Sequence, residues 1–340
     1  MKQKVLFLVI LFSFFSCIGK EKKYDDEFEV KKNVELHSIE YPDILGTSMQ
    51  LLMNDSLILI NDFRGDSLIH VFNIKNLNLV RKIVSVGNGP NELISPLEIQ
   101  RTDSNLYIYY RQANILYSIP WSVITEGSKY MKKLFQISPE SNHLYPLSDS
   151  IFISSGFHPK RYALIEKGEI FKEFGEYPAY WNGEKNIPDK ARAMFHQTDF
   201  LKHPAKQRLL TYSSHIIEIY DDILNLNEPL LVKSKLLGKY RYKFTVGNIL
   251  STDREADIEI GIVYVACSHD YIYVVYNPNK YNYEGKGSNI LVYDWNGNPI
   301  ELLQFNKTIS CLVIDEDERK GYVIAEDPND SLMYFDIKEN

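Results

Sequence analysis

The chain has 340 residues, 44% of them hydrophobic and 24% charged, so it can bury a full-sized core and is not disordered by composition. Its 24 tyrosines and 17 phenylalanines, with little sustained 3.6-residue periodicity, favour strands over helices. The formal net charge of −7, without a concentrated basic stripe, argues against nucleic acid as a partner.

The N-terminus predicts export followed by lipid attachment. Two early lysines precede the apolar run 5–15, which is too short to span a bilayer. Ser16-Cys17 then resembles a bacterial lipobox, in which the cysteine is acylated and becomes the mature N-terminus. We therefore expect a signal peptide over 1–16 and a lipid on Cys17. An ordinary signal peptide that contains a cysteine is the alternative.

The stretch after Cys17 is polar and charged, so residues 17–30 are predicted to be a lipid-anchored tether. Loss of the signal peptide removes Lys2 and Lys4 and no acid, which changes the formal charge from −7 to −9. The expected location is the bacterial cell envelope, anchored to the outer membrane and facing the periplasm or the surface.

Two further cysteines, Cys267 and Cys311, lie in strand-like apolar runs. A buried free thiol packs there as a small hydrophobic group, so we expect both to be free. A disulfide between them is the alternative, because an oxidising periplasm permits it. The chain has no CxxC motif, and thiol–disulfide catalysis is not expected.

A strand–turn–strand unit with a polar turn recurs along the chain. Its copies are residues 50–60, 98–109, 144–153, 199–211, 262–274 and 312–325. Third and fourth strands follow the units, as at 288–293 and 299–305. Four short antiparallel strands per unit, repeated at intervals of about 50 residues, are typical of propeller blades.

The last unit ends after three strands, whereas the alternating stretch 33–39 precedes the first unit and has no assigned partner. We expect this N-terminal strand to complete the outer edge of the last blade, so that no sheet edge stays open. The predicted fold of 31–340 is all-β: a six-bladed β-propeller of four-stranded antiparallel blades, closed by an N-terminal strand.

The loop Gly-Asn-Gly-Pro-Asn-Glu at 87–92 separates two strands and is predicted to pass the chain from one blade to the next. Together with Tyr-Ile-Tyr at 271–273 and Ile-Leu-Val-Tyr-Asp-Trp-Asn-Gly-Asn-Pro at 290–299, it resembles the TolB-like six-bladed β-propeller lipoproteins of Gram-negative bacteria. The resemblance implies a fold and a compartment, and no catalytic residues.

Enzyme signatures such as Gly-x-Ser-x-Gly and His-Glu-x-x-His are absent from the sequence. His196 and His203 are the histidines nearest to each other in sequence, and we interpret them as a surface coincidence rather than a metal site. The acidic run 315–318 lacks the ligand spacing of an EF-hand and is predicted to be a solvated turn. No catalytic residue, metal ligand or cofactor is predicted.

Loops between second and third strands, and those between blades, emerge on one face of a propeller. The longest irregular segments, 177–190, 237–258 and 277–288, belong to these loops. Their aromatic residues, which could stack on sugars or anchor a protein, include Tyr180, Trp181, Tyr281 and Tyr283. The alternative is that they cover the blade tops and plug the channel.

Basic residues follow the second strand in the first three blades, and the candidates among them are Arg64, Arg111, His158 and Arg161. Arginine binds carboxylate or phosphate oxygens bidentately, so this rim predicts an anionic ligand. A solvated rim, with Asp66 neutralising Arg64, is the alternative.

The sequence therefore predicts a non-enzymatic scaffold of the cell envelope. It would bind an envelope protein or an acidic glycan through one loop face, and the membrane through its lipid. The alternative function is that of a hydrolase or lyase with a divalent ion at the channel mouth.

Overall fold

The computed structural model describes residues 24–39, 45–127, 130–181, 183–224, 229–238, 242–246, 250–254, 259–280, 288–315, 317–326 and 329–337. Within these residues the strands form six sheets of four or five strands and one separate hairpin. The six sheets are the blades of a propeller, and their first strands line a central channel. The predicted six-bladed fold is confirmed.

The strands are as follows. The N-terminal strands are β1 (Lys31–Asn33) and β2 (His37–Ser38). Blade 1 comprises β3 (Ser48–Met53), β4 (Leu57–Asp62), β5 (Ser67–Asn73), β6 (Leu79–Val86) and β7 (Glu92–Leu93). Blade 2 comprises β8 (Glu98–Arg101), β9 (Asn105–Tyr110), β10 (Ile115–Pro120) and β11 (Lys132–Gln136). Blade 3 comprises β12 (Ser141–Pro146), β13 (Ile151–Gly156), β14 (Tyr162–Glu166) and β15 (Glu169–Phe174).

Blade 4 comprises β16 (Asp199–Lys202), β17 (Leu209–Ser213), β18 (Ile216–Asp221) and β19 (Leu230–Leu236). The separate hairpin is β20 (Tyr242–Val246) with β21 (Leu250–Arg254). Blade 5 comprises β22 (Glu259–Cys267), β23 (Tyr271–Lys280), β24 (Ser288–Asp294) and β25 (Pro299–Phe305). Blade 6 comprises β26 (Ile309–Ile314), β27 (Lys320–Glu326) and β28 (Asp330–Asp336).

The helical segments described are short and lie outside the blades. They are α1 (Trp121–Glu126), α2 (Asp189–Phe195) and one 3₁₀ turn (Glu184–Asn186). Among the described residues, no helix has the length and apolar character needed to cross a membrane.

Hydrophobic packing is concentrated in the middle strands of each blade. All six residues of β4 are buried, whereas β6, the fourth strand, has one buried residue and otherwise alternates between exposed and partly buried positions. A middle strand is covered on both faces by neighbouring blades, so its sequence is apolar almost throughout. The outer strand faces solvent on one side and alternates accordingly.

The N-terminal segment closes the ring. β2 pairs antiparallel with β28, with His37 opposite Tyr334 and Ser38 opposite Met333. Blade 6 thereby gains its fourth strand, as the sequence predicts. β1 adds a feature that was not predicted, because it pairs in parallel with β25 and becomes a fifth strand of blade 5.

The described part of the predicted tether, residues 24–30, packs on blades 4 and 5. Phe28 is only 4% exposed, and the Tyr24 ring lies 4.5 Å from the Tyr276 ring. The Glu27 carboxylate pairs with the Lys235 ammonium at 2.6 Å. Two aromatic anchors thus stabilise a segment whose charged composition suggested a solvated linker.

The loop between blades 1 and 2 is organised by the side chain of Glu92. Its Oε2 accepts a hydrogen bond from the Gly89 N–H at 2.8 Å. A Cβ at position 87 would lie 2.1 Å from the same oxygen, so a larger residue there would displace the Glu92 carboxylate from its place in the loop. The Gly-x-Gly-Pro-x-Glu pattern therefore describes a carboxylate folded back into its own loop.

Cys267 and Cys311 are both free thiols, as predicted. Burial raises the pKa of each to about 12, so neither is a reactive thiolate at neutral pH.

Candidate functional site

A cavity of ≈ 1040 Å³ follows the propeller axis and is lined by the first strands of all six blades. It also touches the turns between first and second strands, such as those at 54–56 and 102–104. We call the end of the channel with these turns the bottom face. The volume lies at the upper end of the range that small-molecule sites occupy in proteins.

The opposite end, which we call the top face, is where the first strands begin. Glu98, the first residue of β8, pairs with Tyr109 near the end of β9. Ser141, the first residue of β12, pairs with Gly156 at the end of β13. Loops from second to third strands therefore emerge on the top face, as the sequence analysis assumed.

Three charged or titratable side chains meet near the top of the channel, and we call them the channel cluster. They are Glu98 of β8, His143 of β12 and Asp199 of β16, which belong to consecutive blades. One nitrogen or oxygen atom from each lies within 4.8 Å of the others. His143 Nδ1 is 2.9 Å from Asp199 Oδ1 and 3.8 Å from Glu98 Oε2.

Glu98 is held in place by its neighbours. Its Oε1 accepts a hydrogen bond from Gln100 Nε2 at 3.2 Å, and its Oε2 accepts one from the Leu144 N–H at 3.3 Å. The Glu98 side chain is 8% exposed, that of His143 22% and that of Asp199 40%. The cluster is thus fixed on one side and open to the channel on the other.

Burial and neighbouring charges shift the pKa values of Glu98 and His143. Burial raises the pKa of Glu98 to about 7, with the Asp199 carboxylate raising it and His143 opposing the shift. Burial lowers the pKa of His143, but the carboxylates of Asp199 and Glu98 outweigh this and raise it to about 9. At neutral pH the protonated His143 therefore lies beside two carboxyl groups and balances at most one negative charge.

The sequence analysis missed the channel cluster. Glu98 and Asp199 are the first residues of β8 and β16, and His143 is the third residue of β12. Aligning the repeat units on their polar turns places Glu98 and Asp199 at the same position, four residues before the turn. That coincidence was available in the sequence, but it gains meaning only when the blades form a ring.

Arg64 and Arg111 occupy equivalent top-face loops in neighbouring blades, directly after β4 and β9. Arg111 borders the channel and Arg64 is exposed. Within the described residues neither guanidinium has an ion-pair partner, so Asp66 does not neutralise Arg64 through an ion pair. These two arginines remain candidates for contact with an anion.

Arg161 and His158 are buried and do not extend a solvent-facing basic rim. Arg161 is 2% exposed, and its Nη1 donates to Glu218 Oε2 at 2.6 Å. His158 is 3% exposed, and its Nε2 lies 3.1 Å from Ser154 Oγ. Both follow a second strand as predicted. The Arg161 side chain crosses to Glu218 of blade 4, whereas His158 contacts Ser154 of its own blade.

The predicted aromatic contacts divide into two groups. Tyr180 is 42% exposed and hydrogen-bonds Ser234, whereas Trp181 packs edge-on against Tyr242 at 5.9 Å. Neither lines the channel. Tyr281 and Tyr283 lie outside the described residues.

His196 and His203 are buried, not on the surface as predicted, and they lie at opposite ends of β16. His196 Nε2 is 2.9 Å from Glu184 Oε1, and His203 Nδ1 accepts from the Ala205 N–H at 2.9 Å. Each histidine therefore has its own local hydrogen-bond partner.

The described residues of the acidic run form a turn, with Asp315 Oδ1 accepting from the Arg319 and Lys320 N–H groups at 2.7 and 3.1 Å. Glu318 is 5% exposed and accepts a hydrogen bond from the Asp270 N–H at 3.4 Å. The turn is therefore as predicted, but its Glu318 is buried rather than solvated.

A family model described as TolB-like 6-blade propeller-like matches residues 27–317. The chain belongs to this family. Two solved structures resemble this TolB-like propeller along most of both chains. A member of the DUF4221 family from Bacteroides vulgatus is 13% identical with a TM-score of 0.57, and covers 89% of this chain and 97% of its own.

The second structure is a candidate exported protein of Bacteroides fragilis. It is 15% identical with a TM-score of 0.56, and covers 91% of this chain and 99% of its own. At these identities the similarity shows the fold alone. None of the curated proteins matches the TolB-like chain.

Proposed function

We propose that this protein is a lipid-anchored binding protein of the bacterial cell envelope that holds its ligand at the top of the central channel. The observation that carries the proposal is the ≈ 1040 Å³ cavity at the centre of a closed ring of blades. A closed propeller presents such a cavity on a rigid frame, which lowers the entropy lost on binding.

The ligand we favour is an acidic oligosaccharide. The channel wall combines the guanidinium of Arg111 with aromatic residues, Tyr145 and Tyr212 among them. Arginine pairs bidentately with a carboxylate, and aromatic rings stack on the apolar faces of sugars. Arg64 stands in the equivalent loop of the neighbouring blade and supplies a second positive charge on the same face.

An array of acidic and neutral oligosaccharides tests this proposal. The wild type is expected to bind acidic members, with an affinity that falls as salt rises. Arg111→Glu and the double variant with Arg64→Glu are expected to lose binding while the melting temperature stays unchanged. Arg319→Glu is the matched control, because Arg319 is an exposed arginine in the bottom-face turn between β26 and β27.

Equal binding by Arg111→Glu and the wild type would contradict a ligand at the top of the channel. Binding of neutral sugars alone would contradict the acidic class. If no sugar binds and a protein from the native envelope co-purifies instead, the glycan proposal is wrong.

The membrane anchor is supported by the order of lysines, apolar run and Ser16-Cys17, and by the likeness to a candidate exported protein. Cys17 itself lies outside the described residues. Cys17→Ala is expected to abolish fatty-acid labelling and partitioning into detergent. Continued labelling of that variant would show that Cys17 is not the attachment site.

A further inference from the structure

We propose that Glu98, His143 and Asp199 together bind one divalent transition-metal ion of the Zn²⁺ type. The ion would lie near the top of the channel, with coordination positions left for water or for a ligand. The proposal goes beyond the binding function above and does not require the ligand to be an acidic sugar.

The distances between donor atoms fit a tetrahedral ion. Zinc lies about 2.1 Å from imidazole nitrogen and carboxylate oxygen, so two ligands of one tetrahedron are about 3.4 Å apart. His143 Nδ1 lies 2.9 Å from Asp199 Oδ1 and 3.8 Å from Glu98 Oε2, on either side of that value. The carboxylate oxygens of Glu98 and Asp199 lie within 4.8 Å of each other, so this third pair would close by at most about 1.4 Å to complete the tetrahedron.

The charges of the cluster also favour a divalent cation. Two carboxylates face a single imidazole, so even a protonated His143 balances only one of them. A divalent ion bound to neutral His143 balances both carboxylates. No other acidic or basic group of the described residues is within ion-pair distance of the cluster, although Arg111 lines the same cavity.

The backbone that carries the three proposed ligands is held in place by the blades. Each ligand comes from a different first strand, and each of these strands is hydrogen-bonded into its own four-stranded blade. The Leu144 N–H and the Gln100 side chain fix the two oxygens of Glu98. Groups that hydrogen-bond a metal ligand without touching the metal orient that ligand and contribute to the affinity for the metal.

The donor set selects the class of ion. Calcium and magnesium prefer six or more oxygen ligands or several retained waters, whereas imidazole suits zinc and related transition ions. Three protein ligands and an open side match the pattern of zinc sites that keep an exchangeable position.

Calorimetric titration of the chelator-treated full chain with Zn²⁺, and separately with Ca²⁺, tests the proposal. We expect one Zn²⁺ per chain and much weaker binding of Ca²⁺. Asp199→Asn and His143→Gln are expected to weaken Zn²⁺ binding more than about 10-fold. Replacing a residue that only hydrogen-bonds a metal ligand already weakens metal binding by about that factor. Asp189→Asn, an exposed aspartate of α2 outside the channel, is the matched control and should bind like the wild type.

Asp199→Asn keeps the proposal testable if His143→Gln misfolds, because the Asp199 side chain is 40% exposed. Absence of Zn²⁺ binding, unchanged binding in Asp199→Asn, or Ca²⁺ binding as tight as that of Zn²⁺ would each overturn it. No sugar is present in the titration, so its outcome is independent of the glycan proposal.

Discussion

Two clusters of charged side chains in the same half of the propeller differ in charge balance and access to water. The interblade cluster, between blades 3 and 4, is built on Arg161 and Glu218, whose side chains are 2% and 8% exposed. Glu218 also accepts hydrogen bonds from the Tyr162 and Tyr220 hydroxyls at 3.1 and 3.2 Å. The channel cluster has two carboxylates for one imidazole and faces the cavity.

The difference separates a structural role from a binding role. In the interblade cluster one positive charge meets one negative charge, and three hydroxyl groups also hydrogen-bond Glu218 Oε2. Such a pair is costly to break because the remaining charge is left buried. In the channel cluster negative charge is in excess, and water or a ligand can reach it. We therefore expect changes in the interblade cluster to lower stability and changes in the channel cluster to alter binding.

The largest expected effect is that of Arg161→Leu, which leaves the Glu218 carboxylate buried without its cation. The free energy of unfolding should fall by about 3–5 kcal/mol. Urea unfolding monitored by circular dichroism measures it. Arg208→Leu is the control, because the side chains of the Arg208–Asp221 pair are 17% and 32% exposed. Loss of this more exposed pair should lower the free energy of unfolding by only about 1 kcal/mol. Equal losses in the two variants would remove the distinction on which the comparison depends.

A second prediction concerns His158 and His143, whose pKa values should be shifted from 6.5 in opposite directions. Burial lowers the pKa of His158 from 6.5 to about 4, so the folded protein resists its protonation while the unfolded chain accepts it. Stability is then lost as pH falls from 6.5 towards 4, by up to about 3 kcal/mol. His143 should instead stay protonated to a pH of about 9.

Nuclear magnetic resonance titration of the two imidazoles measures both midpoints. His158→Gln should flatten the acid limb of the stability profile, and His37→Gln, on the exposed strand β2, should leave it unchanged. An ordinary midpoint near 6.5 for His158 would show that burial does not exclude charge from this side chain.

The smallest expected effect on stability is that of Glu98→Gln. Removing one of two neighbouring carboxylates relieves their repulsion and the cost of burying Glu98, so the free energy of unfolding at pH 8 should stay the same or rise by less than about 1 kcal/mol. Differential scanning calorimetry measures this. A loss as large as that of Arg161→Leu would mean that the channel cluster is a structural element.

The sequence was sufficient for the fold because the signals of a propeller are local. Each strand–turn–strand unit carries its own polar turn, and the unpaired stretch 33–39 indicated how the ring closes. Glu92 and Gly89 likewise lie in one loop, so their pattern was visible although their hydrogen bond was not.

The sites could not be predicted in the same way because they depend on neighbouring blades. Arg111 and Arg161 follow second strands alike, and only the position of Glu218 in the next blade decides that Arg161 is buried. Glu98 and Asp199 are 101 positions apart in the sequence and meet only when blades 2 and 4 flank blade 3. Local periodicity carries no information on such distances.

The most direct test of the distinction between the two clusters is a crystal of the full chain soaked in Zn²⁺ and measured at the zinc absorption edge. We expect one anomalous peak in the channel, about 2.0–2.2 Å from Glu98 Oε2, His143 Nδ1 and Asp199 Oδ1, and none at the interblade cluster. An empty channel, or a zinc ion bound only elsewhere on the chain, would contradict the assignment of binding to the channel cluster.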